Sequence, residues 1–483
     1  MSKVYESTRI IDMDAVDLSS AIRAKKVSCC EVMQDFLERI DHVNPTFNAI
    51  VSLQDREDLI FQAGERDRQL AKGEWLGWMH GFPQAPKDLA ATAGIPTTLG
   101  SPILRDNVPS QDAIIVERMK RSGGIVIGKT NTPEFGLGSH TYNNVFGITR
   151  NAYDPSKTAG GSSGGAAVAL ALNMLPVADG SDMMGSLRNP AAFNNVFGFR
   201  PSFGRVPCGP SPEVFYQQLA YEGPMARTVK DLAMLLSVQA GFDDRVPLSI
   251  QQNPEIFTQS LERDCKGIRV GWLGNLSGYL AMEPGVLEIC QKALKYLEGI
   301  GCVVEEATVD YSLERLWQTW LTLRGFLVAG RLDVFYADPE TRAMMKPEAI
   351  WEAESGATVS VKELYQASVN RSAWYAYLCT LFQKYDYLVL PSAQVFPFTA
   401  ETHWPKEVAG RSMDTYHRWM EVVIPASLAG VPAISVPVGF NQDGLPMGMQ
   451  IIGKPQADLA VLQLAYAYEQ AAGKEFRREP IFK

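Results

Sequence analysis

The chain has 483 residues, 45 Lys and Arg against 54 Asp and Glu, and a formal charge of −9. At 46% hydrophobic and 20% charged it has an ordinary globular composition and ample length for a sizeable core. The acidic balance argues against nucleic acid or an anionic membrane surface as a partner, because both recruit concentrated Lys and Arg.

Helical periodicity opens the chain. Asp14–Lys26 reads as a first helix, and Ser28-Cys29-Cys30-Glu31 is a capping-box pattern that starts a second, through Val43 to a stop at Asn44-Pro45. Ser52–Lys72 reads as a third, highly charged helix. From Gly77 to Pro210 the chain is rich in Gly, Pro, Ser and Asn; within it Ser110 is placed to cap a helix over Gln111–Arg121, followed by an Ile125–Ile127 strand. Gly164–Leu175 reads as an apolar helix and Pro176–Ala178 as a strand. The second half alternates regularly, with strands expected at Ile268–Leu273, Cys302–Ala307, Tyr387–Leu390, Ala433–Val438 and Met447–Ile452. Helices are expected at Pro284–Gly299, Leu313–Asp333, Val361–Lys384 and Ala457–Ala471. This interleaving predicts an α/β protein with a mostly parallel or mixed central sheet, and no linker is long enough to divide residues 1–483.

Several classes drop out. Seven Cys without a CxxC, two of them adjacent at Cys29–Cys30, give neither a disulfide framework nor a zinc ribbon. The five His are scattered without HExxH or HxH spacing, so no metal is expected. The N-terminus lacks the apolar core of a signal peptide, and Ala166–Leu175 is too short to span a bilayer; the simplest location is cytoplasmic.

Two motif matches compete for attention. Gly123–Thr130 satisfies GxxxxGK[ST], yet its centre is Ile-Val-Ile, which favours a strand over a phosphate-cradling loop, and Pro133 blocks the helix that should follow. Gly160–Gly165 contains GxSxG, but polar, turn-forming Asn151–Lys157 precedes it where a nucleophile elbow needs an apolar strand. A Ser-His-Asp hydrolase built on Ser162 would have to recruit His403 or His417.

The loop has companions in order. Pro86-Lys87-Asp88 lies upstream, and Gly180-Ser181-Asp182-Met183-Met184-Gly185-Ser186-Leu187-Arg188-Asn189-Pro190 downstream, with Ser162 and Ser186 24 residues apart. Together with Gly128–Phe135, Phe146–Asn151, Phe197–Pro201 and Ala429–Pro437, these elements resemble the amidase signature family over nearly the whole chain, most closely over about 75–210. The resemblance implies an α/β fold whose central mixed, mostly parallel sheet is covered by helices on both faces. It further implies a Ser–Ser–Lys triad, with Ser186 as nucleophile, Ser162 as a relay after a cis peptide, and Lys87 as base. No cofactor is implied. The backbone N–H groups of Met183, Met184, Gly185 and Ser186 would form the oxyanion hole, supported by Gly161, Asp182 and Arg188, with the last two expected as an ion pair fixing the turn. Asp88 is expected to be an orienting or surface group rather than a second base.

The chemistry is coherent. A serine hydroxyl needs a base within hydrogen-bond reach, and Lys serves only when desolvation brings it down from its usual ~10.4. Met184 departs from the family's usual Gly, which raises the question of where its side chain goes. The family contains hydrolases of aryl amides and carbamates as well as the glutaminase subunit of tRNA-dependent amidotransferases. Ser181–Pro207 resembles the bacterial aryl acylamidase and urethanase branch most. The expected substrate is therefore a small aryl amide or carbamate, taken by a monomer or homodimer. Pocket walls or a lid are expected within 311–425, where Trp351, Tyr365, Trp374, Tyr375, Phe396, Phe398, Tyr416 and Trp419 lie.

Overall fold

The computed structural model describes residues 9–473, 475, 476, 478–480 and 482; the first eight residues, part of the N-terminal segment assessed for a signal peptide, lie outside it. Eight strands form the central sheet: β1 (Ala178–Asp182), β2 (Phe197–Arg200), β3 (Tyr221–Ala226), β4 (Arg269–Trp272), β5 (Val303–Glu306), β6 (Tyr387–Pro391), β7 (Ala433–Phe440) and β8 (Pro446–Gly453). Their spatial order is β5-β4-β6-β8-β7-β2-β3-β1. The sheet is mixed, as expected, but it is not mostly parallel: only β4 pairs in parallel, with β5 and β6, while the other five pairings are antiparallel. The helix–strand alternation that suggested parallel crossovers yields parallel neighbours only around β4. β7 and β8 are joined instead by a hairpin closed through Asn441 and Gly444.

The N-terminal helices are α1 (Ala15–Arg23), α2 (Cys29–Phe47) and α3 (Arg56–Ala71). The Ser28 capping box forms in full, whereas α2 runs through Pro45 to a left-handed Asn48. A proline in the last turn removes a single internal bond, so it does not end the helix. Asp55 caps α3, which therefore begins four residues later than its charge pattern suggested. Helix α4 (Ile114–Arg121) is not capped by Ser110; the Ile114 N–H donates to Gly209 O at 2.8 Å, so a distant loop satisfies the helix end. Helix α5 (Gly164–Ala171) ends ahead of a left-handed Asn173. Then come α6 (Arg188–Phe193), α7 (Val229–Gln239), α8 (Val286–Gly299), α9 (Leu313–Tyr336), α10 (Pro339–Met344), α11 (Pro347–Ala357), α12 (Val361–Lys384), α13 (Ile424–Ala429) and α14 (Asp458–Ala472).

Helices cover both sheet faces. A Cβ on Gly448 would press on Ala192 of α6, and one on Gly453 on Val461 of α14. These two β8 positions are five residues apart and so point to opposite faces. Trp317, Trp320, Trp374 and Trp419 are wholly buried. Among the described residues no helix is long and apolar enough to cross a membrane.

Candidate active site

Lys87 is fixed from its backbone outward. Just before it, Pro83–Gln84 pairs in parallel with Ile125–Val126, Thr130 N–H donates to Pro86 O at 3.1 Å, and Asp88 N–H donates to Thr130 O at 3.0 Å. The Lys87 N–H donates to Asp179 Oδ2 at 3.1 Å. The side-chain Nζ meets three hydroxyls: Ser162 Oγ at 2.8 Å, Ser163 Oγ at 2.9 Å and Ser181 Oγ at 3.0 Å. Burial pulls Lys87 down to about 7, against the opposing pull of Asp179, Asp182 and Glu222. A neutral amine keeps two N–H groups and one lone pair, so three hydroxyls match it provided one donates.

Two carboxyls stand behind this amine. Glu222 on β3 lies directly across from Ser181 on β1, and Asp179 is two residues along the same face. Asp179 Oδ1 and Glu222 Oε2 are buried without a hydrogen-bond partner among the described residues. Burial and the neighbouring Asp179 push Glu222 up to about 8, and burial also raises Asp179. Asp88 points elsewhere, accepting from the Thr98 and Gly100 N–H groups to close the turn after it. Lys129, of the GxxxxGK[ST] match, follows a strand rather than a loop and donates to Ala90 O and to Thr92 Oγ1.

The glycine-rich loop carries the hydroxyls. Its Gly161–Ser162 peptide is cis. Glycine is needed where the loop presses on its neighbours: a Cβ at 165 would lie 2.4 Å from Asn131 N. Gly161 N–H donates to Asn189 Oδ1 at 3.1 Å, and Ser163 N–H donates to Ser186 O at 3.3 Å, joining the loop to the turn below it.

That turn, 182–188, is organised by Asp182. Its carboxylate accepts from Gly185 N–H at 2.8 Å, Leu187 N–H at 3.2 Å, Arg188 Nε and Nη2 at 3.0 Å each, and Arg200 Nη1 at 3.2 Å. Burial alone would raise this carboxyl, but the two guanidiniums hold it well below the usual range. Arg188 reaches on to Ser427 Oγ at 2.8 Å and Gln450 Oε1 at 2.7 Å, which ties the turn to α13 and β8. The Gly185 N–H is therefore not available as an oxyanion donor, contrary to the expectation from sequence. The N–H groups of Met183, Met184 and Ser186 make no hydrogen bond among the described residues. Gly185 takes φ +77°, and a Cβ there would meet Val423 Cγ1 at 2.9 Å. Met184 needs no such left-handed backbone, and its side chain is buried in the core.

Ser163 and Ser181 escaped sequence reasoning; their signal was the Ser162-Ser163 doublet and the serine just ahead of Asp182. No histidine bonds to Ser162 or Ser186 among the described residues: His403 stacks on Tyr142, and His417 is enclosed by Trp317, Trp351 and Tyr416. Most of the aromatics expected as pocket wall are core or surface. Trp374, Phe396 and Trp419 are buried packing residues, while Tyr365 and Tyr375 are exposed. Tyr416 donates from its hydroxyl to Glu352 at 2.6 Å and accepts there from Arg324 at 2.6 Å; Arg324 also donates to Met183 Sδ at 3.3 Å. Helix α9 thereby contacts the 182–188 turn.

Comparison with known proteins places this geometry in a wider set. The sequence model of the family described as Amidase matches residues 31–462. An acylamidase of Rhodococcus erythropolis is 35% identical over 462 residues, covering 95% of each chain. A glutamyl-tRNA(Gln) amidotransferase subunit of Thermosynechococcus vestitus is 32% identical, covering 94% of this chain and 97% of its own. Among solved structures, a bacterial aryl acylamidase of the amidase signature enzymes superposes with a TM-score of 0.89 at 30% identity, covering 96% of this chain and 97% of the other.

Proposed function

The chain belongs to the amidase family and is a hydrolase of non-peptide C–N bonds, and we propose that it cleaves aryl amides and aryl carbamates through Ser186, with Ser162 as proton relay and Lys87 as base. The observation that carries this reading is the buried Lys87 Nζ bonded to Ser162 Oγ at 2.8 Å, on a loop joined to the Ser186 backbone.

Neutral Lys87 takes the Ser162 proton as Ser162 takes that of Ser186. The Ser186 oxygen then bonds to the substrate carbonyl carbon, whose π pair moves to oxygen. The N–H groups of Met183, Met184 and Ser186 stabilise that oxyanion; one such donor is typically worth 10²–10³ in rate. As the tetrahedral adduct collapses, the C–N bond breaks and the proton on Lys87 returns through Ser162 to the departing amine. Water then repeats the sequence on the acyl ester, or on the carbonate ester that a carbamate leaves on Ser186, and regenerates the serine. Asp182 acts as a positioning residue, because it shapes the turn without reaching the reacting atoms.

The test is aniline release from acetanilide and from an aryl carbamate by the purified chain alone. Turnover falling at least about 10³-fold in S186A, and by 10²–10⁴ in K87A, is expected. Undiminished turnover in S186A would overturn the assignment. The amidotransferase relatives favour a second reading, glutamine hydrolysis that needs partner subunits. It predicts no anilide turnover by the chain alone and glutaminase activity only in a complex.

A further inference from the structure

A cavity lies beyond Arg324, and none of Lys87, Ser162, Ser186 or the 182–186 turn lines it. It measures about 220 Å³ and is walled by Leu321, Arg324, Trp351, Val359 and His417, with exposed Thr358 at its rim. His417 is only 3% exposed, yet neither ring nitrogen has a hydrogen-bond partner among the described residues. The ring cannot turn away to find one, because Trp317, Trp351 and Tyr416 pack around it at centroid distances of 5.3, 5.8 and 4.7 Å. Leaving a buried donor or acceptor unpaired is unfavourable, so the site is organised for something that supplies both partners.

The shape of that partner follows from the wall. Burial, with Arg324 and Arg418 nearby, keeps His417 uncharged, so it offers one N–H and one bare nitrogen. Arg324 directs Nε to Glu352 Oε1 at 2.6 Å and Nη2 to the Tyr416 hydroxyl, but among the described residues its Nη1 bonds only to the Met183 thioether, a weak acceptor. The Arg324 charge is already matched by Glu352. A neutral ligand with adjacent C=O and N–H groups fits: its carbonyl accepts from His417 or Arg324 Nη1, and its N–H donates to the bare imidazole nitrogen. Cavities near 150 Å³ hold benzene, so this one has room for a ring and one planar substituent, with Trp351, Leu321 and Val359 as the apolar wall.

We propose that this cavity is a second binding site for a neutral, single-ring aryl amide or carbamate, held by His417 and Arg324. Because Arg324 also touches Met183, the occupant and the catalytic-type turn share one side chain. The inference does not depend on which serine is the nucleophile.

Benzamide is the probe, titrated calorimetrically into S186A so that turnover does not intervene. The expected result is saturable binding that weakens at least about tenfold in the H417F background and again when T358W plugs the rim. Absence of binding, or an affinity that neither substitution changes, overturns the proposal. If H417F does not fold, the exposed T358W position decides alone. Ammonia release from benzamide in S186A would strike the catalytic assignment, while the affinities would still decide this one.

Discussion

Replacing Asp182 by Asn removes one oxygen and one charge from the most connected group near the site. The amide keeps an acceptor for the Gly185 N–H but turns N–H groups toward Leu187 N and the Arg188 guanidinium, which are themselves donors. Arg188 and Arg200, both fully buried, lose their shared counter-charge. Breaking one side of a buried ion pair costs about 3–5 kcal/mol. With an unfolding entropy of ~2.1 cal/mol/K per residue over 483 residues, about 1 kcal/mol per degree, that is a fall in Tm of about 3–5 °C for cooperative unfolding. A carboxyl held below its unfolded value contributes stability that is present above pH ~4 and lost as pH falls through the folded value. The deficit should therefore be the same at pH 6 and pH 9. Calorimetry gives Tm, and anilide hydrolysis should show kcat/KM down by 10²-fold or more as the oxyanion donors lose their frame. A variant within 1 °C of the parent and within threefold in kcat/KM would refute the role given to Asp182.

Other outcomes follow from the same geometry. Activity should rise with pH as Lys87 loses its proton near pH 7; a profile flat from pH 6 to 9, with chemistry rate-limiting, contradicts a lysine base. Met184→Gly should lose about 2–4 kcal/mol of stability in denaturant titration, because it deletes a core side chain from a turn that needs no glycine there; a gain in both stability and kcat would contradict this. Gly185→Ala should lower kcat/KM at least about tenfold, since its φ of +77° and the Val423 contact force the turn to move, and unchanged kinetics would contradict that strain. Glu222→Gln should leave the acid limb of the rate profile nearly in place, because burial and Asp179 keep Glu222 protonated up to about 8, above the pH at which Lys87 titrates; a limb moved to lower pH would show an ionised Glu222 beside Lys87.

The local signals in the chain were the legible ones. Ser28 and Glu31 sit three residues apart and form the cap they encode. Lys87, Ser162 and Ser186 stand in motifs whose order and spacing locate them before any fold is known. Strands β2 and β3 were not legible: Phe-Gly-Phe-Arg and Tyr-Glu-Gly-Pro-Met-Ala are buried on both faces and show neither alternation nor an apolar run. Long-range pairing hid the rest. The stacking of Glu222 across from Ser181, and hence the acidic ground behind Lys87, depends on the β1–β3 register. The Gly185 N–H was misassigned because a motif names residues without the direction of their bonds, and Asp182 three residues earlier claims that donor. His417 was considered only as a triad member; its unpartnered ring facing a separate cavity follows from the meeting of α9 and α11 with the chain ahead of α13.

The central claim is that Ser186 is the nucleophile and that Lys87 activates it through Ser162. A fluorophosphonate probe followed by peptide mass spectrometry reads this directly. The account predicts a single adduct on Ser186, formed faster as pH rises through about 7 and suppressed in K87A. An adduct on Ser162, or labelling of Ser186 that proceeds equally well without Lys87, would contradict it.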